Sequence, residues 1–212
     1  PPHHWKDPHY KSDPHQGFLE AAESGSVPVL AVFHNEEVGS GTRQGADSTF
    51  LQDVLRRING ALGRGEEDFQ VAVANSFLVS ADNAHAVHPA HPEYADSNEA
   101  PVLGGGVVIK YNAAQRYTTD AVSDAVFRQI CAEAGVPVQR YSNRADLPGG
   151  STLGNISTAH LSVHSVDVGL PQLAMHAAYE LAGAADTAYL IRAMGVYLSK
   201  SFRAGPEGFR LL

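Results

Sequence analysis

An apolar run at residues 27–33, interrupted only by Pro28, ends abruptly in His34, Asn35, Glu36 and Glu37. Runs of this length, rich in Val, suit a buried strand of an α/β sheet. Further strands are predicted at residues 76–81, 107–111, 136–141 and 165–169. Helical patterns lie between them. Phe50, Leu51, Val54, Leu55 and Ile58 form one apolar stripe, with Asp47 and Ser48 as caps and Gly60 as its stop. Val122, Val126 and Ile130 mark a helix over 120–134 that stops at Gly135. Another runs through Ile156 and Leu161. A further one starts at Gly169 and Pro171 and carries Met175, His176 and Tyr179. The last covers 187–202. Residues 61–68 read as loop, and residues 69–74 are ambiguous between helix and strand. Strands alternating with helices predict an α/β fold, a mostly parallel sheet with helices on both faces.

Composition narrows the function. A chain of 212 residues with 43% apolar and 18% charged residues can form one compact domain. A net charge of -8 without a basic cluster argues against a nucleic-acid surface. No apolar run reaches about 18 residues, so no membrane span is expected. The start of the chain has no basic-then-apolar leader pattern. The single cysteine, Cys131, excludes an internal disulfide framework and points to a reducing, cytoplasmic setting; it reads as core rather than as a catalytic thiol. Residues 1–16, PPHHWKDPHYKSDPHQ, read as an irregular His/Pro-rich arm, and 17–212 as the folded domain. The Gly-rich stretch at 39–45 lacks the Gly-Lys-Ser/Thr of a phosphate-binding loop.

The chemistry gathers where apolar runs end, since α/β enzymes bind ligands beyond the carboxyl ends of their strands. Glu36 and Glu37 follow the first run, Asp82 and His85 follow the second, and His176 lies past the fifth. Carboxylates and imidazole are the ligands of open zinc sites, where one position is kept for water. Bland readings exist for each. A Glu-Glu pair is often a solvated turn, and a single histidine often serves the core or the surface. Asp82 can cap a turn. Lys110, inside the apolar VVIKY, can snorkel from a strand edge.

Five motifs together resemble the aspartyl aminopeptidase family of metallopeptidases. They are NEEVGS at 35–40, SADNAHAVHP at 80–89, VIKYNAAQRYTTD at 108–120, GGSTLG at 149–154 and DVGLPQLAMH at 167–176. Their order and gaps also look like that family, from about residue 28 to 202. The resemblance implies a zinc-peptidase-like α/β domain with two zinc ions, acting as an aminopeptidase on peptides with an acidic first residue. It further implies Glu36 as general base, and Glu37, Asp82 and His176 as zinc ligands. His85 would stabilise the oxyanion or the bound terminus, and Lys110 and Tyr117 would contact substrate. Two divalent ions about 3.5–4 Å apart polarise a scissile carbonyl and bring a water's pKa to about 7.

The family pattern also asks for an early His, a bridging Asp ahead of a full helix, and a β-rich domain between those two ligands. None of these is found in place. Asp13 is followed by Pro14 and lies close to Glu36 in sequence; His3, His4, His9 and His15 are the early histidines on offer. The chain therefore looks like the C-terminal part of such a peptidase. Its expected partners are a peptide and either further copies of itself, as in the family's dodecamers, or a missing N-terminal half. The alternative is a catalytically inactive, aminopeptidase-like subunit with a role in assembly.

Overall fold

The computed structural model describes residues 26–206 and 208–212. The arm at 1–16, with Asp13 and the early histidines, lies outside them. The order of elements is α1 (Phe50–Ala61), α2 (Glu66–Ala74), β1 (Phe77–Ala81), β2 (Ala84–His85), β3 (Val107–Tyr111), α3 (Ala121–Glu133), β4 (Val138–Ser142), α4 (Leu153–Thr158), β5 (His164–Gly169), β6 (Pro171–Leu173), β7 (Leu181–Ala182), α5 (Ala184–Leu198), β8 (Phe202–Gly205) and β9 (Gly208–Leu211).

The main sheet has four strands in the order β1-β5-β3-β4. β1 runs parallel to β5, with Ser80 opposite Asp167, and β3 runs parallel to β4. β3 and β5 are antiparallel, meeting at Val108–Gly169 and Ile109–Val168. The period of two then divides the side chains. Phe77, Val107, Ile109, Val166 and Val168 join Val126, Phe127, Ile130 and Cys131 of α3 and Ala193 of α5 in one core. Ile109, Phe127 and Ile130 have no exposed surface, and burying each side chain fully contributes about 1.5–3 kcal/mol. The other face turns Ser80 and Asp167 toward α4, where Gly154 N donates to Ser80 Oγ at 2.8 Å. Helices thus cover both faces, as the alternating pattern predicts for an α/β fold.

α3 ends and begins by rule. Asp120 accepts from Ser123 N at 2.7 Å, Ser123 Oγ accepts from Asp120 N at 2.9 Å, and Gly135 leaves the helix at φ 62. Other boundaries move. α1 is preceded by Thr49 without a side-chain cap bond, and Gly60 lies within the helix rather than ending it. The ambiguous residues 69–74 belong to α2, which already begins at Glu66; its acidic first turn suits a helix N-terminus, and Asp68 Oδ2 accepts from Gly65 N at 2.8 Å.

Three expectations fail. Residues 27–33 form no strand and are not buried: Val27 is 63%, Leu30 78% and Val32 77% exposed. A strand exists only through pairing, and among the described residues none pairs with this segment. The first backbone bond along it is His34 N donating to Gln44 O at 3.1 Å. Only Ala31 and Phe33 pack inward, against Leu51, Phe69, Val73 and Leu161. Second, no helix carries Met175, His176 and Tyr179. Pro171 instead opens β6, the middle of a three-stranded sheet β2-β6-β7. Proline fits the first residue of a strand, and Ala174 (φ 55) and His176 (φ 67) then adopt a backbone that no α-helix admits. Third, the last helix stops at Leu198, and the aromatic residues beyond it form the β8–β9 hairpin. Phe202 and Phe209 lay their rings 5.1 Å and 5.7 Å from Phe77, which draws the chain back to the sheet.

Candidate active-site cleft

Asp82 and Asn83 leave the end of β1, and two strands away β3 presents Lys110. The Lys110 side chain is 2% exposed. Its Nζ donates to Asp82 O at 2.9 Å and Asn83 O at 3.4 Å, and lies 3.4 Å from Asp82 Oδ2. A buried ammonium needs such partners. Between them lies Gly169 at the end of β5, where a Cβ would overlap the Asp82 carbonyl oxygen. The close approach of the two chain segments requires glycine there. Nearby, Lys110 Nζ stands 5.3 Å from the centre of the Tyr117 ring, a cation–π contact.

A second wall comes from the two positive-φ turns. Asn35 (φ 61) turns the chain into Glu36 and Glu37, and His176 holds φ 67. His176 Nε2 lies 2.7 Å from Glu37 Oε2, and His176 N donates to Glu180 Oε1 at 2.6 Å. The Glu37 and His176 side chains are about two-thirds exposed, so as an ion pair they contribute at most about 1 kcal/mol.

These walls enclose a cleft of about 570 Å³ that is lined by Glu36, Glu37, Asp82, His85, Lys110, Tyr117 and His176. Every site residue expected from the sequence therefore faces one space. Burial first, then the Asp82 and Glu37 carboxylates, raises the Glu36 carboxyl above its usual range, while Lys110 and His176 oppose this. Burial, then the positive charges of His176 and Lys110, holds the His85 imidazole below its usual value, against the pull of Asp82. Burial also raises the pKa of the Tyr117 hydroxyl. Among the described residues, no three Asp, Glu, His or Cys side chains are gathered about a single point. Glu37 and His176 touch, and Asp82 lies against Lys110.

Another cavity of about 620 Å³ lies beside β4, lined by Glu99, Arg128 and Arg140 among others. Its charges serve each other: Arg128 and Arg140 both pair with Asp124, and Arg140 with Glu99. The first cleft, with its crowded carboxylates and imidazoles, is the candidate site.

Sequence reasoning missed part of the frame. Asp167, Thr118 and Thr152 form a buried network behind the cleft, and Asn83 is tied to Gln172 by a 2.5 Å bond. A signal existed in the chain: an aspartate in the otherwise apolar SVDVG. A buried carboxylate in a strand must have hydrogen-bond donors to meet it.

The fold and the cleft define an α/β protein with carboxylates and histidines grouped over its strand ends. Residues 15–197 match the family described as aminopeptidase I zinc metalloprotease (M18), and the chain belongs to that family. A probable M18 family aminopeptidase 2 of Clostridium acetobutylicum is 50% identical over 172 residues, 81% of this chain and 40% of the relative. Its counterpart in Mycobacterium tuberculosis is 46% identical over 181 residues, 85% of this chain and 42% of the relative. Among solved structures, a chain in the cryo-EM structure of the Ape4 and Nbr1 complex superimposes with a TM-score of 0.78 at 34% identity, covering 90% of this chain and 38% of that one. The S. cerevisiae mApe1 dodecamer gives 0.68 at 27% identity, covering 78% of this chain and 36% of that one. The chain thus spans about two-fifths of the length of the curated relatives it matches.

Proposed function

We propose that this chain provides the zinc- and peptide-facing part of an aminopeptidase that removes an N-terminal residue, preferably acidic, from peptides. The observation that supports this reading is the convergence of Glu36, Glu37, Asp82, His85, Lys110, Tyr117 and His176 on one cleft. An assembly subunit without catalysis would not need a buried lysine and crowded carboxylates facing an open space.

The donor set fits zinc in kind. Glu37, Asp82 and His176 supply the oxygen and nitrogen ligands that zinc accepts, and two of them already touch. Zinc bound there would polarise the scissile carbonyl and make a water acidic at neutral pH. Glu36, raised in pKa and beside Glu37, takes the proton of the attacking water and returns it to the leaving amine. His85, whose pKa burial and the nearby His176 and Lys110 hold below its usual value, donates a hydrogen bond to the oxyanion or to the bound terminus. Lys110 sets a positive charge at the cleft floor for an acidic side chain, and Tyr117 forms the wall beside it. A complete site of two ions draws its remaining ligands from residues outside the described ones or from another chain.

Residues 17–212 act in this reading as the peptidase domain. Its partners are further copies of the chain, or a polypeptide equivalent to the part of the relatives that it does not span. The exposed apolar segment at 27–32 is the surface that such a partner covers. The neutral, buried Cys131 thiol suits a reducing cytoplasm.

The test is zinc content by mass spectrometry together with hydrolysis of Asp- and Glu-nitroanilides. Glu36→Gln should keep the zinc and lower turnover by about 10²–10⁴-fold. Undiminished turnover in that variant removes Glu36 as base. A zinc-loaded chain that hydrolyses neither substrate refutes the peptidase reading.

A further inference from the structure

Asp167 does not line the cleft, yet two segments that do are tied to this one carboxylate. It sits in β5 and has no exposed surface. On one side Oδ2 accepts from Thr118 N at 2.6 Å and lies 2.9 Å from Thr118 Oγ1. The Asp167 amide donates to Thr119 Oγ1 at 3.0 Å. These bonds hold the segment between β3 and α3, whose Tyr117 faces the cleft. On the other side Oδ1 accepts from Thr152 Oγ1 at 2.6 Å. That bond holds the segment between β4 and α4, whose residues 149–152 also line the cleft. Behind it, a Cβ on Gly154 would stand 2.7 Å from Oδ1 and 2.9 Å from Oδ2. The carboxylate is therefore pressed between the two loops and has little room to shift.

A core strand has no need of an acid here, since Val166 and Val168 already fill the hydrophobic side. Burying a carboxylate is costly unless donors surround it. Among the described residues the carboxylate's hydrogen-bond partners are these hydroxyls and one amide, with no ion pair to Lys or Arg. Releasing either loop would leave the charge short of donors, so both loops depend on the one carboxylate.

We propose that Asp167 is a positioning residue that fixes the shape of the cleft by joining the Tyr117 segment to the 149–152 segment, and so sets peptide affinity. The proposal rests on the peptidase reading. Asparagine at 167 keeps the shape but loses one of the two acceptor oxygens, so the donors of one loop go unmet. Displacements of about 1 Å at a binding wall can weaken an enzyme by about 10²-fold.

The experiment compares the full zinc-loaded chain with Asp167→Asn and Thr152→Val, by amide hydrogen–deuterium exchange and by steady-state kinetics on Asp-nitroanilide. For Asp167→Asn, exchange should rise in residues 112–120 and 147–153 together, while β1 and α3 keep wild-type protection. KM should rise about tenfold or more, with a smaller change in kcat. Thr152→Val should loosen 147–153 alone and also raise KM; it carries the test if Asp167→Asn does not fold. Exchange that rises uniformly through β1 and α3 marks a mere core defect and overturns the proposal. So does unchanged exchange in the two loops, or loosened loops with an unchanged KM. If the wild-type chain turns over no nitroanilide, the peptidase reading falls by itself. The exchange pattern then decides: a coupled rise supports the tie, and its absence overturns it.

Discussion

Lys110 Nζ is bound 2.9 Å from the Asp82 carbonyl oxygen and 3.4 Å from its carboxylate, with the lysine 2% and the aspartate 32% exposed. The pair is lopsided: the cation lies almost wholly buried in the cleft floor and the anion reaches water. Replacing Lys110 by Met removes the buried charge and lets Asp82 find solvent. The loss should be about 1–3 kcal/mol, read from urea unfolding, and not the larger figure for a fully buried pair broken on one side. A loss below about 0.5 kcal/mol would show that the contact adds nothing to the fold.

Gly169 lets the ends of β1 and β5 approach so that Lys110 can reach Asp82. Gly169→Ala would overlap the Asp82 carbonyl oxygen, which is backbone and cannot swing aside. The expected cost is about 3 kcal/mol, and under the zinc role proposed for Asp82 the affinity for zinc should fall as well. Wild-type stability in this variant would contradict the packing described.

Cys131 predicts an alkaline weakness. Burial pushes its thiol from 9.0 up to about 12. Below pH 9 the thiol is protonated in both states and has no effect. Above it the unfolded chain releases a proton that the folded chain keeps, so stability falls as pH rises toward 12. The slope is about 1.4 kcal/mol per pH unit for one such group. Urea midpoints between pH 8.5 and 11 should fall less steeply in Cys131→Ala than in the wild type. Equal slopes would rule the thiol out as a source.

Leu30 and Val32 are 78% and 77% exposed. Leu30→Ser with Val32→Thr should change stability by less than about 0.5 kcal/mol and reduce self-association in sedimentation velocity. A loss above about 1 kcal/mol would mean that the segment is packed.

The sequence made the site more legible than the geometry around it. Glu36, Asp82, Lys110 and His176 stand out because charge beside apolar runs is conspicuous, and they do share a cleft. The elements that β-pairing decides were harder to read. Residues 27–33 have the composition of a strand, but composition does not provide a neighbour. Residues 171–173 are too short to show a period, and what makes them a strand is their pairing with Ala84, His85 and the 181–182 segment. The β8–β9 hairpin was hidden for another reason: Phe202 continued the helical apolar pattern, and only contact with Phe77 gives it a different use. Asp167 was visible as a letter but not as a hub, since its partners are Thr118, Thr119 and Thr152, far away in sequence.

The left-handed backbone at His176 has a consequence for which sequences this position can accept. At φ 67 a glycine would relax the turn, whereas a side chain with a Cβ strains it. His176→Gly should therefore make the turn easier to form while deleting the imidazole that meets Glu37. Selection for stability alone would drift toward glycine here. Under the proposed function the imidazole at this position outweighs the ease of the turn.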